Sequence, residues 1–273
     1  MSVTAFVLLM GVLGFAFGSF ANVVIWRFPR GESLSYPPSR CPGCDTAISW
    51  RDNVPVFSWL ALRGRCRSCG EPISVRYPLV ESLSAVLWLL AAVFWGPTVQ
   101  AGFAAAFFYL LLILAFIDLD TMRLPNPLVG LLAGIGFAGA VLDQLAGVPA
   151  APLLVYDGAL ASPILAALAG ALLAGGLSLG FAAAYAGIRK KSGFGMGDVK
   201  LLAAMGLFLG PLALMTLFFA SLIGAVFGIV SARRNGGSLA ARYPFGPFLA
   251  LAGVIVALIG ADLWSWYLGI AGL

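Results

Sequence analysis

The chain has 273 residues, of which 61% are hydrophobic and only 10% are charged. Because soluble domains usually carry about 25% charged residues, this composition excludes an ordinary soluble protein and indicates a membrane protein. The net charge is +5 and there is no histidine, which excludes Ser-His and Cys-His dyads, HExxH zinc proteases and histidine proton relays.

The apolar stretches predict an all-α polytopic membrane protein, since a spanning helix needs roughly 20 mostly apolar residues. They cover residues 3–24, 79–95, 102–117, 128–141, 163–188, 201–230 and 247–268. Gly210 and Pro211 interrupt the sixth stretch, and dividing it there predicts about eight transmembrane helices. No charged segment precedes the first stretch, so we expect it to remain as a span rather than be removed as a signal peptide.

The basic residues predict the orientation of the chain. With eight spans and the N-terminus outside, all 16 Lys and Arg residues fall on one side of the membrane. The loops on the other side, residues 96–100 and 143–157, contain none. The positive-inside rule makes the basic side cytoplasmic and leaves both termini outside. The charge is thus a topology signal, and with no recognisable nucleic-acid-binding motif it does not indicate a nucleic-acid partner.

A polar segment, residues 27–78, follows the first span and holds all four cysteines. They form two CxxC pairs, Cys41 with Cys44 and Cys66 with Cys69, separated by 21 residues. Each pair can direct two thiolates at one tetrahedral ion, so the pattern predicts a four-cysteine zinc site. Four thiolates leave no position for a water, so we expect a structural zinc that stabilises a domain too small for a good core.

Redox-active dithiols and unpaired cysteines remain as alternatives, although the reducing cytoplasm disfavours disulfides. Gly43 and Gly70 suit the tight turns that two such cysteine pairs need. The predicted organisation is a first transmembrane helix over residues 1–26, a cytoplasmic zinc-binding domain over 27–78 and a transmembrane bundle over 79–273.

Acidic residues occur at the predicted cytoplasmic ends of two spans. Asp118 and Asp120 end the third span, and Asp198 begins the sixth. Ionisable residues at membrane depth are costly and are functional by default. Since residues two apart lie on nearly opposite faces of a helix, Asp118 and Asp120 cannot easily both face Asp198. We therefore expect the deeper Asp118 to pair with Asp198, and Asp120 to orient substrate or cap a neighbouring helix.

Two carboxyl groups that share one proton can activate a water and protonate a leaving amine, which is the chemistry of peptide hydrolysis. At about 4 Å and an effective dielectric constant near 20, two carboxylates repel each other by about 4 kcal/mol. One of them therefore keeps its proton, and the pair titrates as a unit.

The residues around Asp198 read Gly195-Met-Gly197-Asp-Val-Lys200. The two glycines let the backbone approach an extended substrate, and Asp198 lies near a helix N-terminus, where negative charge is favoured. We group Gly195, Gly197 and Lys200 with the site as supporting residues. A structural alternative is that Asp198 is only the N-cap of its helix.

Asp118 and Asp120 have alternatives of their own. They could form an interfacial charge cluster with Arg123, or an Asp-x-Asp pair that holds Mg²⁺ with a phosphate ligand.

These features together resemble the bacterial type IV prepilin peptidases, a family of membrane aspartyl peptidases also called prepilin leader peptidase/N-methyltransferases. The resemblance covers nearly the whole chain. It is carried by Gly18-Ser-Phe20-Ala-Asn22, Arg27-Phe-Pro29, both cysteine pairs, Ile73-Ser, Arg76-Tyr77-Pro78, Glu81 and the two aspartate sites. Ala21 departs slightly, since a larger apolar residue is expected there.

The resemblance implies an enzyme of the bacterial inner membrane that cleaves the basic leader of prepilins or pseudopilins on the cytoplasmic side, just after a glycine. It assigns the catalytic pair to Asp118 and Asp198. Many members then methylate the new N-terminal amine with S-adenosylmethionine, and the cysteine-bearing region is associated with those members. A methylation site is therefore expected within residues 18–81, with Glu81 as a candidate to bind the amine. Alternatively, Glu81 is a helix N-terminal acid beside Arg76.

Two other functions remain open at this point. One is a metal-dependent membrane enzyme acting on a lipid phosphate, with Asp118, Asp120 and Asp198 as Mg²⁺ ligands. The other is a proton-coupled transporter, which the lack of a visible internal repeat disfavours.

Overall fold

The computed structural model describes residues 2–154, 160–189, 195–235 and 243–272. Part of the predicted outer loop, residues 155–159, lies outside the described residues, as do the basic Lys190 and Lys191. Helices dominate the described residues, and two isolated β-bridges are the only β-structure found in them.

The described residues form nine α-helices. These are α1 (Val3–Arg27), α2 (Phe57–Ala61), α3 (Arg76–Trp95), α4 (Val99–Thr121), α5 (Asn126–Ala146), α6 (Pro163–Arg189), α7 (Met196–Leu209), α8 (Ala213–Asn235) and α9 (Gly246–Ala271). Short 3₁₀ turns at Phe28–Arg30, Trp50–Asp52 and Gly210–Leu212 extend or join them.

Seven helical stretches among the described residues are long and apolar enough to cross a membrane. The predicted break at Gly210 and Pro211 is confirmed, because α7 ends at Leu209 and Gly210 has a φ of +57°. The stretch Met196–Arg234 still counts as one candidate span. With 14 residues, α7 is about 21 Å long and is shorter than the hydrocarbon layer of about 30 Å. The expected count of eight treats this short helix as a span of its own.

The chain divides into two compact units, Met1–Pro97 and Thr98–Leu273, called unit 1 and unit 2 below. Unit 1 contains the first two candidate spans and the cysteine segment between them. The narrower domain boundaries expected from the sequence, at residues 26/27 and 78/79, stay predictions.

In unit 1, α1 packs closely against α3 through small residues. Gly14 and Gly18 form a GxxxG pattern on α1, and a Cβ built on Gly18 would lie 2.7 Å from the Cα atom of Glu81. Small residues at this spacing let membrane helices approach until their backbones touch. The side-chain amide of Asn22 donates to the carbonyl of Tyr77 over 3.2 Å and fixes the register of the pair at one end.

In unit 2, α4 and α7 are the most enclosed helices. α4 packs against α5 and α9, while α7 packs against α5, α6 and α9. Phe107 of α4 stacks on Phe208 of α7 with ring centroids 4.7 Å apart, and both rings are fully buried. The two helices that carry Asp118 and Asp198 are therefore held by the core of this unit.

Glycines also bring α6 and α7 into backbone contact. A Cβ on Gly170 would overlap the carbonyl groups of Gly206 and Gly210, whereas Gly176 on the same helix faces open space.

We expect Gly170→Leu to destabilise the protein by about 1–3 kcal/mol because the added side chain overpacks the contact. Thermal unfolding in detergent measures the effect. Gly176→Leu is the control and should shift the free energy of unfolding by less than about 0.5 kcal/mol; equal effects of the two substitutions would contradict the close approach.

Candidate active site and cysteine cluster

Asp118 lies in the last turn of α4 and is buried, with 5% of its surface exposed. The helix ends because Met122 adopts the left-handed region at φ +51°, and the Met122 N–H closes the last turn on the Asp118 carbonyl. The Asp118 carboxylate Oδ2 accepts a 2.8 Å hydrogen bond from the main-chain N–H of Gly246. Gly246 is the first residue of α9, where a helix leaves its N–H groups without intrahelical partners.

Asp120, two residues further along, is exposed. The predicted difference between the faces of Asp118 and Asp120 is therefore confirmed by their burial.

Asp198 is half-buried in the first turn of α7. The N-cap of the helix is Gly195, so the alternative that Asp198 is the N-cap is wrong. The Asp198 carboxylate turns back over the main chain of Gly195, where a Cβ would lie 2.9 Å from Oδ2, and it is hydrogen-bonded there. An acid at the third helical position commonly satisfies the N-cap N–H in this way.

The structure brings Asp118 and Asp198 together. Their carboxyl groups are close enough to interact electrostatically, and their helices both pack against α9. In partly enclosed surroundings, two neighbouring carboxyl groups can act one as a general acid and the other as a general base.

Gly197 and Lys200 connect the first turn of α7 to the turn between α4 and α5. A Cβ on Gly197 would lie 3.3 Å from the Cβ of Leu124, so the glycine permits this approach. The Lys200 ammonium donates a 3.0 Å hydrogen bond to the side-chain oxygen of Asn126, the first residue of α5. These contacts keep the acid-bearing ends of α4 and α7 adjacent.

Sequence reasoning missed Gly246 and Asn126. Gly246 stands between Pro244 and Pro247, and a proline early in a helix signals where the helix begins. That signal could have located the start of α9, but nothing in it indicates that the Gly246 N–H meets Asp118.

The four cysteines of unit 1 form one cluster. All four are free, their sulfur atoms lie within 4.8 Å of one another, and the sulfurs of Cys41 and Cys69 are 3.7 Å apart. With metal–sulfur bonds of about 2.3 Å, the sulfurs of a tetrahedral site are about 3.8 Å apart. The cluster could therefore hold a metal ion.

The two CxxC segments repeat the same turn. The Cys41 N–H donates to the Thr46 carbonyl, and the Cys66 N–H donates to the Glu71 carbonyl, over 3.0 and 2.8 Å. The residue after each pair has a positive φ, +54° at Asp45 and +75° at Gly70. The turn expected of Gly70 is therefore confirmed.

Gly43 needs a different explanation from the one expected. It has no positive φ, and the left-handed position of its turn is taken by Asp45. A Cβ on Gly43 would lie 3.1 Å from the Cγ of Glu71, so the glycine makes room for the other cysteine segment.

A salt bridge joins the second cysteine pair to the segment before α2. Arg67, inside that pair, makes a two-pronged contact with Asp52, with nitrogen–oxygen distances of 2.7 to 3.1 Å. Hydrogen bonds from Arg67 hold the pKa of the Asp52 carboxyl below its ordinary value. The pair therefore contributes to folding above the ordinary pKa of Asp, and the contribution is lost as the pH falls through the lowered value.

Glu81 is buried on α3, with 8% of its surface exposed. It lies beyond the first turn of the helix, which begins at Arg76, so the alternative of a helix N-terminal acid is wrong. Its Oε2 accepts a 2.7 Å hydrogen bond from the N–H of Val56. Val56 has a φ of +61°, a conformation that costs a β-branched residue about 1–3 kcal/mol. The carboxylate thus helps to hold a strained loop in place.

Glu81 also lines a cavity of about 820 Å³ within unit 1. The walls include Asn22, Trp59 and Tyr77. A cavity of this volume is in the range of sites that enclose cofactor-sized ligands, and a few polar groups on its wall would orient such a ligand.

Comparisons with known proteins agree with the division of the chain into unit 1 and unit 2. The sequence model of the bacterial peptidase A24 N-terminal domain matches residues 12–95, and that of the type IV leader peptidase family matches residues 105–229. A prepilin leader peptidase/N-methyltransferase of Aeromonas hydrophila is 37% identical over 92% of this chain and 90% of its own. The chain belongs to the type IV leader peptidase family. It is therefore a member of a peptidase family and an integral membrane protein.

Other members of the family are similarly close. A prepilin leader peptidase/N-methyltransferase of Legionella pneumophila is 34% identical over 96% of this chain and 94% of its own. A type 4 prepilin-like proteins leader peptide-processing enzyme of Escherichia coli is 36% identical over 91% and 92%. No solved structure matches the chain at a significant level.

The two family matches separate the two candidate sites. The leader peptidase match contains Asp118 and Asp198 but ends before Gly246. The N-terminal match contains the four cysteines and Glu81 and nearly coincides with unit 1.

The cysteine cluster predicts one bound metal ion per chain, measured by elemental analysis of the purified protein. Cys41→Ser should lower the metal content to roughly a tenth or less and destabilise unit 1, because structural zinc sites contribute about 10–16 kcal/mol of apparent binding free energy. Ser68→Ala, between two of the ligands, is the control and should leave the metal in place. Full metal content in Cys41→Ser would show that the cluster is not the binding site.

Proposed function

We propose that this protein is an intramembrane aspartyl endopeptidase that removes the leader of type IV prepilins or pseudopilins at the cytoplasmic face of the bacterial inner membrane. The observation that supports the proposal is that the carboxyl groups of Asp118 and Asp198 are near enough to interact electrostatically, at the ends of the two most enclosed helices of unit 2. Both residues lie in the segment that is similar to leader peptidases. The relatives' names supply the substrate class.

Hydrolysis adds one water across the scissile peptide bond. One carboxylate of the pair takes a proton from the water, whose oxygen then bonds to the carbonyl carbon. The other carboxyl group gives its proton to the peptide nitrogen as the carbon–nitrogen bond breaks. The leader leaves with a new carboxylate, the mature chain leaves with a free amine, and proton exchange with solvent resets the pair.

The substrate proposed for the site has a basic leader followed by an apolar helix. If that helix lies in the bilayer and the leader on the cytoplasmic side, the scissile bond reaches the depth of the aspartates. The main chain at Gly195 is exposed, so an extended peptide can come close to the start of α7. This orientation leaves both termini outside, in agreement with the positive-inside rule.

We further propose that unit 1 methylates the new N-terminal amine. S-adenosylmethionine, when bound, supplies the methyl group that the amine nitrogen takes. The 820 Å³ cavity has room for a ligand of this size. The Glu81 carboxylate on its wall would pair with the ammonium group of the mature chain and take one proton from it, because only the neutral amine has the lone pair that can accept a methyl group.

Zinc is the metal proposed for the cysteine cluster. Cys41, Cys44, Cys66 and Cys69 would hold it with four thiolates, the ligand set of structural zinc sites. Its role would be to join the two cysteine segments around which unit 1 is built, since their own residues bury little apolar surface.

The peptidase proposal is tested with Asp118→Asn and Asp198→Asn, which keep the shape of each side chain and remove the charge. We expect each variant to lose cleavage of a prepilin-like substrate by about 10³-fold or more, because one half of the acid–base pair is missing. Cleavage by purified protein in detergent is the measurement.

Asp262→Asn is the control, because Asp262 is an exposed acid of the same unit near the C-terminal end of α9, and it should retain cleavage within a few-fold. Near-normal cleavage by either Asp118→Asn or Asp198→Asn would remove that residue from the mechanism. Loss of cleavage on chelation of Mg²⁺, with recovery on adding it back, would instead favour a metal-dependent reaction.

The methylation proposal is tested with Glu81→Gln, which can still accept the Val56 N–H but carries no charge. We expect the ratio of methylated to cleaved product to fall about 10- to 100-fold, since a hydrogen bond to a charged group contributes about 1.5–3 kcal/mol. Mass spectrometry of the mature N-terminus measures both products.

Asp45→Asn is the control for this experiment, because Asp45 is an exposed acid of the same unit whose salt bridge with Arg40 is also exposed. It should leave the ratio unchanged. A normal ratio of methylated to cleaved product in Glu81→Gln would show that another group binds the amine.

A further inference from the structure

The contact between Asp118 and Gly246 suggests a role for a residue that lies beyond the segment matched to the leader peptidases. We propose that Gly246 is a positioning residue of the peptidase site, whose N–H and missing side chain together set the orientation of the Asp118 carboxylate. This inference rests on the proposed function, in which Asp118 takes part in catalysis.

The N–H of Gly246 is available because of where α9 begins. Gly246 is followed by Pro247, which has no N–H, and the N–H groups of Phe248 and Leu249 both donate to the carbonyl of Phe245, each over 3.1 Å. The Gly246 N–H is therefore the donor of the first turn that points away from the helix, and it meets Asp118 Oδ2 at 2.8 Å.

Glycine is required at this position for space and not for backbone conformation. Gly246 is absent from the residues with positive φ, so another residue could adopt its backbone angles. A Cβ on Gly246 would nevertheless lie 2.7 Å from Asp118 Oδ2 and 3.1 Å from both Cβ and Cγ of Asp118. The carboxylate is itself buried, so it has little room to retreat.

For catalysis, the consequence of this contact is a fixed orientation of the Asp118 carboxylate. One oxygen of Asp118 is held by the main chain of α9, which leaves the other oxygen to face the reacting groups. Both α4 and α7 pack on α9, so the same helix supports both acids. A displacement of about 1 Å in a catalytic group can cost about 10²-fold in rate.

The test is Gly246→Ala, assayed for cleavage of a prepilin-like substrate. We expect kcat to fall about 100-fold while KM changes by less than about 3-fold, since the substrate-binding surface is untouched. Gly269→Ala is the control on the same helix, because a Cβ there meets nothing within 4 Å, and both constants should stay within about 2-fold.

A double-mutant cycle read by thermal unfolding tests the contact independently of activity. Gly246→Ala should lower Tm in the wild-type background and lower it much less in Asp118→Ala, where the carboxylate that the new Cβ meets is absent. Equal decreases in the two backgrounds would overturn the proposed contact.

The inference and the proposed function fail in different ways. Wild-type protein that never cleaves the substrate would overturn both. If the wild type cleaves, Asp118→Asn does not, and Gly246→Ala keeps a normal kcat, the proposed function stands and the inference alone is overturned.

Discussion

The structure depends on which groups donate hydrogen bonds to the buried carboxyl groups of its apolar helices. A charged or polar side chain at membrane depth costs several kcal/mol unless a partner compensates it. In both units a carboxylate on a long apolar helix accepts a main-chain N–H from elsewhere in its unit: Asp118 from Gly246, and Glu81 from Val56. Main-chain donors stabilise a carboxylate without bringing a second ionisable side chain into the bundle. Both acids therefore remain available for chemistry, since neither is neutralised by a lysine or arginine at these contacts.

This arrangement explains which main-chain groups meet the acids. A helix interior has no spare N–H, whereas the first turn of a helix and a strained loop both do. Asp118 uses the first turn of α9, Asp198 returns to the N-cap of its own helix at Gly195, and Glu81 uses the loop at Val56. At two of these contacts the donor has to be a glycine, because a Cβ on Gly246 would lie 2.7 Å from Asp118 Oδ2 and a Cβ on Gly195 would lie 2.9 Å from Asp198 Oδ2.

Much of the molecule could be predicted from the sequence because the relevant signals are local. Apolar length predicts the spans, and the CxxC spacing predicts a cluster that the four sulfur positions confirm. The i, i+2 spacing of Asp118 and Asp120 predicts their different burial. The Gly14 and Gly18 pattern on α1 was an equally local signal for close packing that went unused.

The remaining features needed the tertiary structure, for a physical reason that applies to membrane proteins in general. Lipid and protein core are both apolar, so an apolar helix does not reveal in its sequence which face is buried. Nothing in the composition of α4 or α7 distinguishes them from the helices with more exposed surface, and only packing shows that they are the enclosed pair. Likewise, Gly246 meets Asp118 across 128 residues of chain. The sequence by itself determined which residues could do chemistry, through length, spacing and charge, whereas tertiary packing decided which of them meet and which main-chain groups hold them.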